Sequence, residues 1–292
     1  MARASGSLRL MAVVAHPDDE SLGFGGALAK YAAEGVETYL VTATRGERGW
    51  TGAPAEYPGP AALGRIREAE LRAAAKALGL REVQLLDYID GDLDQADPAE
   101  ATAKIVGHLR RVRPHVVLTF DPQGAYGHPD HIAICQLTTA AVLAAASSNG
   151  SSNGSSTRAR PHRVAKLYYM VDSEQRAAAY QAAFGDLVMR VDDAERRMFP
   201  WPDWSFSALL DTSAYARQVW EAVACHRSQL PNYGVLERLP AQHHDALWGT
   251  QAFYRALSLV NGGRTVECDL FEGLRAPAAA LTPAPTGQEA RA

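Results

Sequence analysis

The chain has few cysteines and no excess of positive charge. Its 292 residues include 3 cysteines, Cys135, Cys225 and Cys268, with no Cys-x-x-Cys pair. This number and spacing exclude a disulfide framework and a cysteine zinc site. Lys and Arg number 29 against 33 Asp and Glu, which gives a formal net charge of -4. Nucleic-acid-binding domains usually carry a basic surface, so the charge argues against that class.

Long apolar segments are also missing. The longest run, Ala140–Ala146, is far shorter than the roughly 20 residues that a membrane helix needs. The apolar stretch Leu8–Ala15 has no small-residue cleavage site and continues into HPDDE, which favours a first strand over a signal peptide. We therefore expect a cytoplasmic protein without a membrane or nucleic-acid partner. Homo-oligomerisation stays open.

Strand and helix signals alternate along the first half. The predicted strands are Leu8–Ala15, Glu37–Thr44, Glu82–Tyr88 and His115–Phe120. The predicted helices are Glu20–Glu34, Arg65–Leu78, a segment from Asp97 to just before Pro114, and His128–Ala146. This alternation predicts an α/β fold: a doubly wound, mostly parallel, Rossmann-like sheet with helices on both faces.

The second half is predicted as a C-terminal extension of the same single domain. Its expected strands are Val164–Val171, Phe206–Asp211 and Thr265–Phe271, and its expected helices are Ser213–Gln229 and Ala246–Val260. The repeat SSNGSSNGSS cannot build a core, so residues 147–160 are predicted to form a flexible loop. The domain is expected to span residues 8–275, and residues 276–292 to form a disordered tail.

Two similar fragments follow predicted strands. One runs from His16 to Glu20 as HPDDE, and the other from His128 to His131 as HPDH. In an open parallel sheet, ligand sites lie beyond the carboxyl ends of strands at a switch in strand order. We therefore expect the two fragments to meet in one crevice.

The residue types in these fragments suit a catalytic zinc site. Such a site uses three protein ligands, often imidazole and carboxylate, and leaves one position for water. His128 and His131 are three residues apart and would share a helix face. Asp18 and Asp19 diverge, so one could bind metal while the other meets the bound water as a general base. Fe²⁺ could compete with zinc for these ligands.

Further motifs accompany the two fragments. They are AHPDDE at Ala15–Glu20, Gly25-Gly26, TRGERG at Thr44–Gly49, R-x-x-E-L at Arg67–Leu71, DGDL at Asp90–Leu93, VVLTFDPQGAYGHPDH at Val116–His131 and HRSQ at His226–Gln229. In these motifs the chain resembles the PIG-L/LmbE-like zinc de-N-acetylases, including the mycothiol-pathway deacetylase. The resemblance implies a doubly wound α/β core with the metal at the strand ends.

The resemblance also implies roles for matching positions. It assigns the zinc ligands to His16, Asp19 and His131, and it makes Asp18 the general base. Asp18 would take a proton from water that attacks the amide carbonyl, while preorganised donors stabilise the oxyanion.

Other matching residues would act on the substrate. His128 would be the general acid or the cation that stabilises the oxyanion, and Tyr126 would polarise the carbonyl unless it only packs. Arg67 would contact the sugar or its aglycone, or else be a solvated helix charge. Asp90 would bind a sugar hydroxyl or form a turn, and Ser21 would contact substrate or cap a helix.

The function predicted on these grounds is hydrolytic removal of the N-acetyl group from a small, soluble N-acetylglucosamine conjugate. An amidase of mycothiol-type S-conjugates is an alternative. Metal-dependent phosphoryl chemistry is disfavoured because Mg²⁺ prefers oxygen ligands to histidine. A non-catalytic sugar-binding protein is a further alternative. Trp201, Trp204 and Tyr233 could stack on a sugar or aglycone, or pack in the core.

Overall fold

Local sequence signals account for most of the elements in the first half. The computed structural model describes residues 7–147, 160–186, 188–191 and 193–275, without the side chains of residues 232, 233, 241 and 242. The strands are β1 Arg9–Val14, β2 Glu37–Thr44, β3 Glu82–Tyr88, β4 Val116–Phe120, β5 Lys166–Val171, β6 Val188–Val191, β7 Ala194–Arg197, β8 Ala208–Asp211 and β9 Thr250–Ser258. The helices are α1 Asp19–Leu22, α2 Gly25–Ala33, α3 Pro60–Ala77, α4 Pro98–Val112, the irregular turn α5 Gly124–Gly127, α6 Pro129–Ala145, α7 Glu174–Phe184, α8 Ala216–Val223, α9 Leu230–Glu237 and α10 Ala241–Trp248.

The main sheet is the doubly wound sheet that the alternating pattern predicts. Its seven strands run in the order β3-β2-β1-β4-β5-β9-β8. The pairs among β3, β2, β1, β4 and β5 are all parallel, whereas β9 pairs antiparallel with β5 and β8. The chain winds outward from β1 to β3, then returns to β4 on the other side of β1. The switch in strand order therefore lies between β1 and β4.

Right-handed crossovers place the connecting helices on opposite faces of the sheet. The helices α2 and α3 connect β1 to β2 and β2 to β3, and both pack against α8. The helices α4 and α6 flank β4 in the chain and pack against each other. Every residue of β4 is buried, as expected for a strand that is covered on both faces.

Capping residues explain where α4 begins and why the first predicted helix is divided. The Asp97 side chain accepts hydrogen bonds from the backbone N–H groups of Ala99 and Glu100, and Pro98 occupies the first turn. The predicted single helix Glu20–Glu34 is instead two helices, α1 and α2, which are separated at Gly23 and Phe24.

The second half differs from prediction in two segments. The predicted helix Ala246–Val260 is wrong: α10 ends at Trp248, and β9 occupies Thr250–Ser258. This segment lies between two strands, and pairing on both sides outweighs its helical pattern. The predicted strand Thr265–Phe271 is also wrong, because only Glu267 makes a bridge there, to Ala208.

Other elements of the second half were not predicted. They are α7, α9 and the hairpin formed by β6 and β7. The predicted helix Ser213–Gln229 is shorter, with α8 covering Ala216–Val223. Most of the predicted flexible loop and the whole predicted tail lie outside the described residues, as does the side chain of Tyr233. Within the described segments, no helix combines the length and apolarity needed to cross a membrane.

Candidate active site

The loop after β1 is folded tightly around the Asp19 carboxylate. Its Oδ2 accepts hydrogen bonds from the backbone N–H groups of Ala15 at 3.1 Å and His16 at 2.8 Å. The preceding residue, Asp18, has φ 109°, a left-handed conformation that is costly for a residue with a Cβ. Strained backbone of this kind is concentrated at functional sites.

The three predicted ligands, His16, Asp19 and His131, lie close together at the switch point. Nδ1 of His16 lies 3.2 Å from Nε2 of His131, and Asp19 places one oxygen 3.7 Å from the former and another 3.3 Å from the latter. Three ligands of a tetrahedral ion with bonds of 2.0–2.2 Å would be separated by about 3.3–3.6 Å. All three side chains are buried. The donor set and its spacing therefore fit a divalent metal ion.

Two carboxylates contact the Nε2 side of the His16 ring, opposite the nitrogen that faces His131, and so fix the orientation of the ring. Nε2 of His16 lies 3.0 Å from Asp130 Oδ2 and 3.2 Å from Asp90 Oδ1. Burial lowers the pKa of His16, but the hydrogen bonds to Asp130 and Asp90 outweigh it and raise the pKa to about 10. Because Nε2 is directed at these carboxylates, Nδ1 is directed at Nε2 of His131 and at Asp19. Carboxylates commonly orient metal-binding histidines in this way.

Asp130 also connects the site to the loop after β3. Its carboxylate accepts the backbone N–H groups of Gly91 at 2.8 Å and Leu93 at 3.1 Å. The sequence-based hypothesis overlooked this role, although Asp130 stands within the HPDH fragment. Asp90, predicted to bind sugar or form a turn, contacts His16 and accepts the N–H of Arg48 at 3.1 Å. Hydrogen bonding to His16 holds the Asp90 pKa at about 2 against the opposing effect of burial.

Asp18 stands beside the ligands and is held by Arg67. Nη2 of Arg67 donates to Asp18 Oδ2 at 3.1 Å and to the Pro17 carbonyl at 2.6 Å, and Nη1 donates to the Gly46 carbonyl at 2.9 Å. Arg67 is 4% exposed, so the interpretation as a solvated helix charge is wrong. Burial raises the pKa of Asp18, and Arg67 offsets only part of that rise.

Glu20 contacts the backbone of Asp18 and is itself held by His226 and Ser21. Glu20 accepts the backbone N–H of Asp18 at 2.9 Å with Oε2, and its Oε1 lies 2.8 Å from Nε2 of His226. Ser21 is fully buried and donates its hydroxyl to Glu20 at 2.6 Å. Ser21 lies inside α1, not at its cap, and does not line the cavity described below. The only sequence signal for His226 was the HRSQ motif.

His128 and Tyr126 approach the ligands from the loop after β4. The His128 ring lies 4.7 Å from that of His16 and 4.8 Å from that of His131, and the Tyr126 ring lies 5.5 Å from that of His131. Nitrogens of the three histidines fall within 4.8 Å of one another, so His128 could in principle join a metal site. Its Nδ1, however, accepts the N–H of Asp130 at 3.2 Å.

That contact defines the form of His128 that faces the site. With Nδ1 as acceptor, the neutral ring carries its proton on Nε2. Burial, together with His16 and His131, lowers the pKa of His128 to about 4. A neutral donor therefore fits this residue better than the cation of the sequence-based hypothesis. Burial also raises the pKa of Tyr126, which keeps its hydroxyl protonated as a donor.

Trp201 helps to shape this loop from the second half of the chain. Its Nε1 donates to Asp121 Oδ2 at 2.8 Å, and Asp121 Oδ1 accepts the N–H of Ala125 at 2.9 Å. Ala125 has φ 62°, and the loop turns there toward Tyr126. Trp201 is thus partly buried next to the loop, whereas Trp204 is 87% exposed.

A cavity of about 400 Å³ opens onto these groups. Asp18, Asp19, Tyr126 and His131 line its inner end. Its size lies within the range of small-molecule sites. The cavity is thus lined by a carboxylate beside the proposed ligands, by the Tyr126 hydroxyl donor and by two of the three proposed metal ligands.

Comparisons with known proteins identify a family of deacetylases. The family described as PIG-L: GlcNAc-PI de-N-acetylase matches residues 11–142. A protein of Rhodococcus jostii named 1D-myo-inositol 2-acetamido-2-deoxy-alpha-D-glucopyranoside deacetylase is 35% identical over 249 residues, covering 76% of this chain and 82% of its own. A protein of the same name from Geodermatophilus obscurus is 34% identical over 299 residues, covering 92% of this chain and 98% of its own.

A solved structure extends the comparison to the fold. The N,N'-diacetylchitobiose deacetylase of Pyrococcus horikoshii superposes with a TM-score of 0.63 at 21% identity, covering 85% of this chain and 83% of that one. At this identity the likeness concerns the fold alone. The similarity to the two deacetylases over at least three quarters of this chain, together with the family match over residues 11–142, establishes that this chain belongs to the PIG-L family of de-N-acetylases.

Proposed function

We propose that this chain is a metal-dependent hydrolase that removes the acetyl group from a small N-acetylglucosamine conjugate. The observation that carries the proposal is the convergence of His16, Asp19 and His131, of which Asp19 and His131 line the cavity together with Asp18. The names of the relatives support the acetylated amino sugar as substrate. We place the reaction in the cytoplasm, on a water-soluble substrate.

The proposed ligands are His16, Asp19 and His131. Two imidazole nitrogens and one carboxylate suit zinc, although Fe²⁺ accepts the same donors. An ion bound there would act as a Lewis acid and lower the pKa of water to about 7. The buried Asp130 and Asp90 carboxylates would keep the Nδ1 of His16 available to it.

Side chains of the protein transfer the proton and stabilise the charge that develops on the carbonyl oxygen. Asp18, oriented by Arg67, accepts a proton from the attacking water, whose oxygen bonds to the acetyl carbonyl carbon. Tyr126 and the Nε2–H of His128 donate hydrogen bonds to the carbonyl oxygen as it gains charge. Asp18 then passes the proton to the sugar nitrogen as the C–N bond breaks, and acetate and the free amine leave.

The test measures acetate and free amine from N-acetylglucosaminyl-inositol and from diacetylchitobiose. Chelation should abolish release, and zinc should restore it. His131→Ala should lose both the metal, measured by elemental analysis, and the activity. His162→Ala is the matched control, because His162 is also buried but bonds to the Pro114 carbonyl away from the ligands. Full turnover by the chelated, metal-free protein would refute the proposal.

A further inference from the structure

Apart from Asp18, Asp19, Tyr126 and His131, most of the residues that line the cavity are apolar, and we call this part of the lining the outer wall. Aliphatic, aromatic and thioether side chains form this outer wall. They are Leu22, Met170, Tyr180, Phe184, Val188 and Met198. Neither Arg67 nor Asp90, the residues that the sequence marked for sugar binding, lines the cavity.

Two charged residues, Asp172 and Arg176, also line this wall and pair with each other. All five N–H donors of Arg176 have an acceptor. Those acceptors are the carbonyls of Leu247 and Leu22, a carboxylate oxygen of Asp172, the sulfur of Met170 and the hydroxyl of Tyr180. The Tyr180 hydroxyl in turn donates to the Leu22 carbonyl at 3.0 Å. Arg176 and Tyr180 thus have little hydrogen-bonding capacity left for a ligand rich in hydroxyl groups, and the Asp172 carboxylate is the main polar group that the wall could offer it.

The outer wall is also attached to the catalytic loop. Val188 and Met198 belong to the segment that contains the hairpin of β6 and β7. From that hairpin, Arg196 donates to the Gly127 carbonyl at 3.1 Å. Gly127 has φ 85°, and a Cβ there would lie 2.5 Å from the Cβ of Arg196. The hairpin and the loop that carries Tyr126 are therefore packed closely together.

We propose that this cavity selects substrates in which the amino sugar carries an apolar group, an inference that rests on the proposed function. The cavity is several times larger than an acetyl methyl group. A polyhydroxylated partner such as inositol would lose hydrogen bonds to water in the outer part and regain few. An aryl or alkyl group would gain by burying apolar surface there. The group could be the aglycone or a longer chain on the amide, since both would place the same chemistry in the cavity.

Four substrates distinguish an apolar aglycone from an apolar acyl chain. They are phenyl N-acetylglucosaminide, N-acetylglucosaminyl-inositol, free N-acetylglucosamine and N-hexanoylglucosamine. We expect kcat/KM to be at least about tenfold higher for the phenyl glycoside or the hexanoyl amide than for the inositol conjugate. Preference for the phenyl glycoside identifies the aglycone, and preference for the hexanoyl amide identifies the acyl chain. Equal values, or preference for the inositol conjugate, would overturn the inference.

Substitutions in the outer wall test whether these residues determine the substrate selectivity. Phe184→Ala and Val188→Ala remove apolar contacts at positions that are partly exposed, so the fold should survive. Each should lower kcat/KM for the preferred substrate about tenfold while changing that for free N-acetylglucosamine less than about twofold. Phe199→Ala is the control, because Phe199 is 64% exposed and does not line the cavity. Equal losses on both substrates would contradict the assignment.

Binding without turnover keeps this inference separate from the proposed function. Calorimetry with phenyl glucoside and glucosyl-inositol, which have no amide to hydrolyse, compares the two aglycones directly. Tighter binding of phenyl glucoside, lost in Phe184→Ala, supports the apolar cavity even if no acetyl sugar is hydrolysed. Release of acetate together with tighter binding of glucosyl-inositol would support the proposed function and overturn the inference.

Discussion

Nε2 of His226 lies 2.8 Å from Oε1 of Glu20, and both side chains are fully buried. The contact joins the HRSQ motif of the second half to the HPDDE fragment of the first. The other carboxylate oxygen of Glu20 accepts a hydrogen bond from the backbone N–H of Asp18, so His226 supports Asp18 through Glu20. The strained backbone of the proposed general base thus depends on a residue more than two hundred positions away.

We expect His226→Ala to destabilise the protein strongly. Removing one partner leaves the Glu20 carboxylate buried without its counter-charge, which typically costs about 3–5 kcal/mol. Denaturant unfolding would measure the loss. His226→Asn, which can still donate a hydrogen bond, should recover part of it. Wild-type stability of His226→Ala would show that Glu20 does not depend on His226.

Asp18→Asn should separate catalysis from metal binding. Asn tolerates a positive φ better than most residues and keeps the shape of the side chain, so the fold should persist. Loss of the proton acceptor should lower kcat about 10²- to 10⁴-fold. Metal content, measured by elemental analysis, should stay at the wild-type level. A metal-free variant would instead make Asp18 a ligand.

Asp90→Asn should weaken metal binding without removing a ligand. Asp90 lies 3.2 Å from Nε2 of His16, and substitutions of such supporting carboxylates typically cost about 10- to 100-fold in metal affinity. Competition with a chelator of known affinity would measure the effect. Asp92→Asn is the matched control, because Asp92 pairs with Arg48 at the surface and does not touch His16. Equal affinities in the two variants would contradict the supporting role.

Glu267 should make stability depend on pH. Its side chain is 1% exposed. Its Oε1 accepts a hydrogen bond from Nζ of Lys166 at 2.7 Å and forms an ion pair with Nη1 of Arg255 at 2.9 Å. Burial raises its pKa, but the hydrogen bonds from Lys166 and Tyr168 outweigh burial and lower it. A folded-state pKa below the unfolded value of about 4.3 stabilises the fold above that pH, and the stabilisation is lost as pH falls through the folded-state value.

The comparison that checks this is wild type against Glu267→Gln. Near pH 7 the variant should be less stable by about 3–5 kcal/mol, because Lys166 loses its buried counter-charge. The difference in unfolding free energy should shrink as the pH falls below about 4.3. Glu174→Gln, at an exposed position, should show no such change. A difference that is constant from pH 7 to pH 3 would exclude ionised Glu267 as its source.

The sequence by itself determined the parallel core and predicted where the candidate site lies. Strand and helix signals in the first half are local, so β1, β2, β3 and β4 could be read from their own residues. The rule that ligand sites lie at the carboxyl ends of strands then brought His16, Asp19 and His131 together. The family resemblance supplied the division of roles between Asp18 and Asp19.

The tertiary structure alone decided what supports these residues. Asp130 behind His16 and His226 behind Glu20 are contacts between residues more than a hundred positions apart, and no local pattern specifies them. The same holds for β9, whose own sequence favours a helix until β5 and β8 pair with it. The apolar cavity wall likewise forms only when α7 and the hairpin of β6 and β7 pack beside the loop after β4, because side chains from separate segments must meet to enclose it.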